Sequence, residues 1–157
     1  MAPSVKLMLW CGIRPGEVQR LRWKDIDPNE GVVYIDPSHS KTGGARAVPL
    51  RGAAQLLSRQ PEEKDMSIAP QNWARLWRRV RQRAGFRSWQ QDALRHTFAS
   101  LHLKFFHNPP QLQEEMGHRD CRLLRTRYLN MRNLSSSAAR YFFHGHSRRR
   151  EQLVSML

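Results

Sequence analysis

The sequence predicts an α+β domain that is mostly α-helical and carries one small antiparallel sheet. Apolar residues recur at helical spacing through much of the second half of the chain. Two short segments typical of strands stand in the first half, joined by a loop, and favour a hairpin. With 157 residues the chain is long enough for a domain with its own core. We therefore expect residues 1–157 to form a single domain.

The first half of the chain is predicted to hold two helices and both strands. Residues 5–13 are apolar and favour a helix. A second helix opens at Arg14-Pro15-Gly16-Glu17, because proline is favoured in a first helical turn and glutamate near its positive end. The Asp-, Pro- and Gly-rich segment 25–31 predicts a turn region, and residues 32–35 and 45–50 predict the two strands of the hairpin.

Helices dominate the second half of the chain. Residues 71–84 and 90–105 both carry apolar side chains at intervals of three, four and seven, which is the pattern of a helix with one buried face. Gly85 is predicted to end the first of these helices. Further helices are predicted at 52–58, from Pro109, at 122–129 and from 135 to the terminus.

The charge balance favours a polyanionic partner. Lysine and arginine number 27 against 13 acidic residues, a formal net charge of +14. Each phosphate that such a chain neutralises releases counterions, so nucleic acid is favoured and double-stranded DNA is the predicted partner. A membrane is disfavoured, because no apolar run is long enough to span a bilayer.

The cysteine and histidine pattern predicts neither a disulfide framework nor a metal site. Cys11 and Cys121 are the only cysteines, which suits a reducing cytosol. Cys11 lies in an apolar segment and is predicted to be a buried thiol. Ligand spacing of the zinc kind is absent, so no metal is predicted.

Five side chains in chain order form the set needed to attack a phosphodiester without a metal: Arg14, Lys41, Arg95, His118 and Tyr128. Phosphoryl transfer needs a nucleophile, a proton donor for the leaving oxygen, and positive charge at the non-bridging oxygens. The tyrosine supplies the first and the lysine the second. Guanidinium groups supply the third through paired, charge-assisted hydrogen bonds. Taken singly, each of these residues is as compatible with an ordinary surface or packing role.

The segments around these residues resemble the catalytic domain of the tyrosine recombinases, the phage-type integrases. The matching motifs are Gly12-Ile13-Arg14-Pro15-Gly16-Glu17, Ser40-Lys41-Thr42-Gly43 followed by Arg46-Ala47-Val48-Pro49-Leu50, Leu94-Arg95-His96-Thr97-Phe98, Met116-Gly117-His118, and Tyr128. Any one of these motifs is weak, but all of them in the right order make a specific match.

The resemblance implies a site-specific DNA recombinase or integrase of a mobile element. Tyr128 would attack a DNA phosphate to form a 3′-phosphotyrosyl link, with Tyr141 as the less favoured alternative nucleophile. Arg14, Arg95 and His118 would stabilise the transition state, Lys41 would protonate the leaving 5′ oxygen, and Glu17 would orient the site. Neither a metal nor a nucleotide cofactor is implied, because the covalent intermediate keeps the energy of the broken bond.

Asp92 departs from the pattern of the resembled family. The family usually has a histidine three residues before the second arginine, where this chain has Asp92. On the predicted helix 90–105, Asp92 and Arg95 lie on the same face. The carboxylate would then either accept the proton of the tyrosine or brace Arg95.

The resemblance also carries expectations about extent and assembly. Members usually have an N-terminal helical domain, so residues 1–157 are interpreted as a catalytic domain lacking that domain and its own first helix. The helix in 135–157 is expected to be exchanged between protomers, with ordinary core packing as the alternative. The expected oligomer is a tetramer on DNA and a monomer when free. The expected location is the bacterial cytoplasm, in association with the nucleoid.

Further arginines are candidates for contacts with the DNA backbone: Arg46, Arg75, Arg78 and Arg79. A solvated helix face is the alternative for the last three. Two other functions also stay open at this point. One is an enzyme of the same chemistry that only relaxes supercoils, similar to a type IB topoisomerase. The other is a DNA-binding remnant that has lost catalysis.

Overall fold

The computed structural model describes residues 1–39, 44–58, 61–118 and 134–154. It confirms the predicted fold class, because helices surround one small antiparallel sheet. Three sequence predictions lie outside the described residues: Lys41, Tyr128 and the helix 122–129. In the described part of the chain, no helix is both long and apolar enough to cross a bilayer.

The first half of the chain folds into two helices and a sheet of three strands. Helix α1 spans Ala2–Trp10 and α2 spans Pro15–Val18. The strands are β1 (Ile26–Asp27), β2 (Val32–Ile35) and β3 (Arg46–Pro49), antiparallel and in that order across the sheet. Helix α1 ends earlier than the predicted 5–13, because Gly12 takes a left-handed backbone conformation with φ of 63°.

Strand β1 lies in the segment predicted only as a turn. The Asp27 carboxylate accepts hydrogen bonds from the backbone N–H groups of Asn29 and Glu30, at 2.8 and 3.0 Å. This Asx-type turn reverses the chain within a few residues. Ile26, 2% exposed, can then pair with Val33 in β2. A side chain that builds the turn therefore also aligns the third strand.

The second half consists of helices with short connections. A 3₁₀ helix spans Gly52–Ser58, followed by α3 (Trp73–Arg83), α4 (Ala93–Phe106), α5 (Pro109–Met116) and α6 (Ser136–Val154). Helix α5 begins where the Asn108 side chain accepts a hydrogen bond from the Gln111 N–H at 3.1 Å. Helices α3 and α4 each begin two or three residues later than predicted.

Two apolar clusters form the core. One joins the sheet to α1 and α2 and includes Leu7, Ile13, Val33 and Val48. The other lies between α4, α5 and α6 and includes Phe98, Leu103, Leu112, Met116 and Phe143. Cys11 belongs to the first cluster and is fully buried, as predicted. Burial raises the pKa of its thiol to about 12.

The start of α6 packs on its own domain. Phe143 is 4% exposed and lies in the second cluster. The Phe142 ring stacks on Trp10 with 5.5 Å between centroids, and the Trp10 indole N–H donates to the Phe142 carbonyl at 3.0 Å. Tyr141, the residue before Phe142, is 68% exposed. Exchange of this helix between protomers stays a prediction.

We expect Gly12→Ala to destabilise the fold by roughly 3 kcal/mol, since strain and overpacking add. A Cβ at Gly12 would lie 2.4 Å from Cδ1 of Phe98, whose side chain is fully buried and has no room to retreat. Urea denaturation measures the change. Gly16→Ala is the matched control, because nothing lies within 4 Å of a Cβ there. An equal loss of stability in both variants would contradict the steric explanation.

Candidate active site

Arg14 is held at the start of α2 by the glutamate one turn further on. Its backbone N–H donates to Glu17 Oε2 at 3.0 Å, and its Nη1 donates to Glu17 Oε1 at 3.1 Å. Its Nη2 donates to the carbonyl of Gly117 at 3.3 Å. The side chain of Arg14 keeps 17% of its surface exposed. Glu17 therefore fixes the direction of the Arg14 guanidinium, and its orienting role in a reaction stays a prediction.

The Glu17 carboxylate binds a second arginine at the same time. Arg46 donates to both of its oxygens, at 2.7 and 3.2 Å, and donates through Nε to the carbonyl of Glu115 at 3.0 Å. The side chains of Arg46 and Glu17 are only 5% and 2% exposed. Burial opposes ionisation of Glu17, but the hydrogen bonds and charges of Arg46 and Arg14 outweigh it, so the pKa of Glu17 lies below its ordinary value.

This geometry revises the expectation for Arg46. The sequence analysis assigned it to DNA contact, but its donors point inwards to Glu17 and to a backbone carbonyl. Its two Nη donors grip the Glu17 carboxylate in the paired geometry with which a guanidinium would otherwise hold a phosphate. Arg46 is thus a residue that positions Glu17, a role its place in the sequence did not indicate.

Arg95 lies in the first turn of α4 and is 3% exposed. Its Nη1 donates to the carbonyl of Gly12, and its Nη2 donates to the carbonyl of Met116 at 2.5 Å. Burial, together with the charge of Arg14, lowers the pKa of Arg95 to about 9, while Glu17 opposes the change. The guanidinium therefore stays charged at neutral pH.

His118 lies against Arg95, with 2.9 Å between His118 Nε2 and Arg95 Nη2. Because a guanidinium can only donate, a hydrogen bond here requires an unprotonated Nε2 and places the ring proton on Nδ1. Gly117, just before His118, has φ of 59° and ends α5. A Cβ at Gly117 would lie 3.0 Å from Arg46 Nη1, so the close approach of the two segments needs glycine.

The C-terminal end of α5 anchors all three arginines. Its consecutive carbonyls accept from three different side chains: Glu115 from Arg46, Met116 from Arg95, and Gly117 from Arg14. The last carbonyls of a helix have no partner within the helix and carry its negative dipole end. They are therefore natural acceptors for cations. The three arginines, far apart in sequence, meet because one helix end binds them all.

A second buried polar cluster supports α5 from the opposite side. Glu115 accepts from Arg51 Nη2 at 2.5 Å and from Gln111 Nε2 at 2.9 Å, and its Oε2 lies 3.4 Å from His102 Nε2. Burial disfavours the charged carboxylate, but His102 and Arg51 outweigh it, and the pKa of Glu115 is lowered. The sequence analysis missed this cluster. One sign of this cluster is present in the sequence, because His102 follows Phe98 by one helical turn and so lies on the apolar face of α4.

A cleft of about 510 Å³ adjoins Arg14 and Arg95. Asp92, Trp77 and Trp89 also line it. The sequence pattern placed Asp92 inside helix α4. In the structure Asp92 instead precedes α4, has a left-handed φ of 58°, and makes no side-chain hydrogen bond that caps the helix. Asp92 and Arg95 still line the same cleft, although the backbone at Asp92 is not the helix that the sequence predicted.

Comparison with known proteins identifies the family. The model of the phage integrase family matches residues 2–134. The chain belongs to this family. It is 29% identical over 150 residues to the tyrosine recombinase XerA of Saccharolobus solfataricus, covering 85% of this chain and 50% of XerA. It is 30% identical over 134 residues to the shufflon-specific DNA recombinase of Escherichia coli, covering 80% of this chain and 33% of that protein.

The fold of the family is also found by structural comparison. The catalytic domain of bacteriophage HP1 integrase superposes with a TM-score of 0.66 at 21% identity, covering 89% of this chain and 80% of that domain. The chain thus spans at most half the length of the two recombinases named above, yet most of the HP1 catalytic domain. The expectation of a single integrase-type catalytic domain agrees with these proportions and stays a prediction.

The structure brings together four of the predicted site residues of this integrase-family chain and leaves two undescribed. Arg14, Glu17, Arg95 and His118 meet at the end of α5. Lys41 and Tyr128 lie outside the described residues, so their roles stay predictions. Arg75, Arg78 and Arg79 lie exposed on α3, and their contact with DNA stays a prediction. Within the described residues, no group of three or more potential metal ligands occurs.

Glu17→Gln is expected to cost about 3 kcal/mol of stability at neutral pH, because it leaves buried Arg46 and partly buried Arg14 without their counter-charge. The lowered pKa of Glu17 means that its charge stabilises the folded state above the ordinary value of 4.5 and loses that effect as the pH falls through the lowered value. The difference between wild type and variant should therefore shrink in acid. Urea denaturation across this pH range measures it.

The matched control is Asp65→Asn, which removes a carboxylate paired with Arg22 and Lys24 at an exposed site. Its unfolding free energy should hardly change, since exposed ion pairs contribute little. A Glu17→Gln variant as stable as this control at neutral pH would show that the buried pair does not hold the site together.

Proposed function

We propose that this chain is the catalytic domain of a site-specific DNA recombinase or integrase of a mobile element. The observation that carries the proposal is the convergence of Arg14, Arg95 and His118 at one helix end beside an open cleft. Two guanidinium groups fixed on neighbouring carbonyls, with an imidazole hydrogen-bonded to one of them, suit a phosphate whose negative charge grows in the transition state. Membership of the phage integrase family and similarity to two recombinases support the same function.

In the proposed reaction, the phenolic oxygen of Tyr128 attacks the phosphorus of one DNA strand. The bond from phosphorus to the 5′ oxygen breaks, and Lys41 gives its proton to that oxygen. The phenolic proton passes to Asp92 or to water. The product is a 3′-phosphotyrosyl link and a free 5′ hydroxyl, and attack by the 5′ hydroxyl of another strand reverses the step and joins the two. Bond count and charge are conserved, so no nucleotide is consumed.

The electrostatics of the chain fit this substrate. The formal net charge of +14 favours double-stranded DNA through counterion release. Exposed Arg75, Arg78 and Arg79 on α3 are proposed to contact the backbone. In the proposed site, protein cations supply all the positive charge needed around the phosphate, so the reaction is proposed to need no metal. Assembly as a tetramer on DNA and location at the bacterial nucleoid belong to the same proposal.

A covalent adduct is expected between the chain and a nicked suicide substrate drawn from a random-sequence pool, because the released fragment cannot re-ligate. The adduct should form in EDTA, survive a denaturing gel, and vanish in Tyr128→Phe but not in Tyr141→Phe. Loss of the adduct only in Tyr141→Phe would reassign the nucleophile. Tight DNA binding with no adduct on any substrate would mean that this chain is a non-catalytic remnant.

Arg14→Ala is expected to slow adduct formation by roughly 10²- to 10³-fold, the usual effect of removing one donor to a transition-state oxygen. Arg22→Ala is the matched control, since Arg22 pairs with the exposed Asp65 at the surface. Single-turnover rates on the suicide substrate separate the chemical step from binding. Equal rates in both variants would remove Arg14 from the catalytic set.

A further inference from the structure

We propose that the cleft lined by Trp77, Trp89 and Asp92, next to Arg14 and Arg95, takes up one unstacked nucleobase adjacent to the bound phosphate. The inference rests on the proposed function and adds to it a binding subsite for the DNA. Trp77 packs in part against the first core cluster, and together with Trp89 it also forms part of the wall of a cleft that contains the arginines of the site. The predicted catalytic roles do not use these two indole rings.

The size of the cleft exceeds what a phosphate needs. Its volume of about 510 Å³ lies within the range of pockets that enclose organic ligands. A phosphodiester held by two arginines fills only a small part of that space. A base within a duplex is stacked between its neighbours and cannot enter a recess of this kind, whereas an extruded base can.

The aromatic wall of the cleft is fixed in place. Trp89 meets Trp77 edge to face, with centroids 5.3 Å apart, and meets Phe86 in the same manner at 5.0 Å. Trp77 is in turn stacked on Trp73 at 6.1 Å. These ring contacts, together with the Arg81 guanidinium over Trp77 at 5.9 Å, restrict the movement of the two indoles and so fix an aromatic surface at the cleft. Such surfaces bind bases of any identity by stacking.

The charges around the cleft select a base rather than further phosphates. Arg14 and Arg95, both on the cleft lining, offer positive charge for one phosphate. The Asp92 carboxylate, on the same lining, repels phosphate but accepts hydrogen bonds from the exocyclic amino groups of adenine, cytosine or guanine. Thymine has no such amino group and is expected to bind least well.

The backbone at Asp92 gives independent support. An aspartate directly before a helix usually accepts a hydrogen bond from the first turn. Asp92 instead has a left-handed φ of 58° and makes no side-chain capping bond to α4. Aspartate adopts this conformation more readily than most non-glycine residues, and here the side chain does not take its usual capping role. Here the conformation keeps the carboxylate on the cleft lining instead of on the helix end.

The test uses the chain with short duplexes that differ at one position: a bulged 2-aminopurine, a bulged abasic residue, or full pairing. An unpaired base costs less to extrude than a paired one, so the chain should bind the bulged 2-aminopurine most tightly. The expected preference over the abasic bulge is about 5- to 150-fold in Kd, and 2-aminopurine emission should be quenched by the indole. Fluorescence anisotropy and emission measure both effects.

Trp89→Leu should abolish the preference and the quenching, and Trp89→Phe should retain most of the preference. Trp23→Leu is the matched control, a partly buried tryptophan outside the cleft that should leave both effects intact. Thermal melting of each variant establishes that it is folded. Equal affinity for the bulged base and the abasic bulge overturns the proposal, as does an unchanged preference in folded Trp89→Leu.

Two further outcomes distinguish a pocket for a DNA base from a nucleotide site and from the proposed recombinase function. Competition by free dAMP as effective as the bulged duplex would identify a nucleotide site and overturn the assignment to a DNA base. Because these are binding measurements, they are independent of adduct formation. A covalent adduct on paired DNA with no bulge preference would leave the recombinase function standing and remove only the base pocket.

Discussion

The C-terminal turn of α5 is the interaction on which the site depends. Three successive carbonyls there bind Arg46, Arg95 and Arg14, which come from the sheet, from α4 and from the start of α2. Without this common acceptor, three guanidinium groups at such close range would repel one another. The helix end carries partial negative charge but no full charge to neutralise them. The arginines are therefore held together while retaining the positive field that a phosphate needs.

Among the described residues, two buried carboxylates bring full negative charge into the network through direct ion pairs. Glu17 is shared between Arg14 and Arg46, and Glu115 is shared between Arg51 and His102. A buried ion pair adds little net stability, because desolvation offsets most of the attraction, but losing one partner is costly. The effect of these carboxylates is thus on geometry: they fix which way each guanidinium faces. In the described part of the chain, Arg95 bonds to two backbone carbonyls and to His118 rather than to a carboxylate.

The helices and the motif residues could be predicted from the sequence because both depend on local patterns. Apolar spacing identified α3 and α4, and chain order identified Arg14, Arg95 and His118 as one set. The inward turn of Arg46 could not be predicted, since it depends on Glu115 and Gly117 approaching from a distant helix. Strand β1 was missed for a related reason. Its two residues carry no strand pattern, and only the Asp27 turn brings Ile26 beside Val33.

A continuous set of contacts links α6 to the arginines at the end of α5. Phe143 of α6 packs edge to face on the buried ring of His102, with 6.2 Å between centroids. His102 lies 3.4 Å from Glu115, whose own carbonyl and that of the next residue hold Arg46 and Arg95. If α6 is exchanged between protomers, the Phe143 that touches His102 must come from the partner chain or be lost. The position of α5, and with it the distance between the arginines, would then depend on assembly.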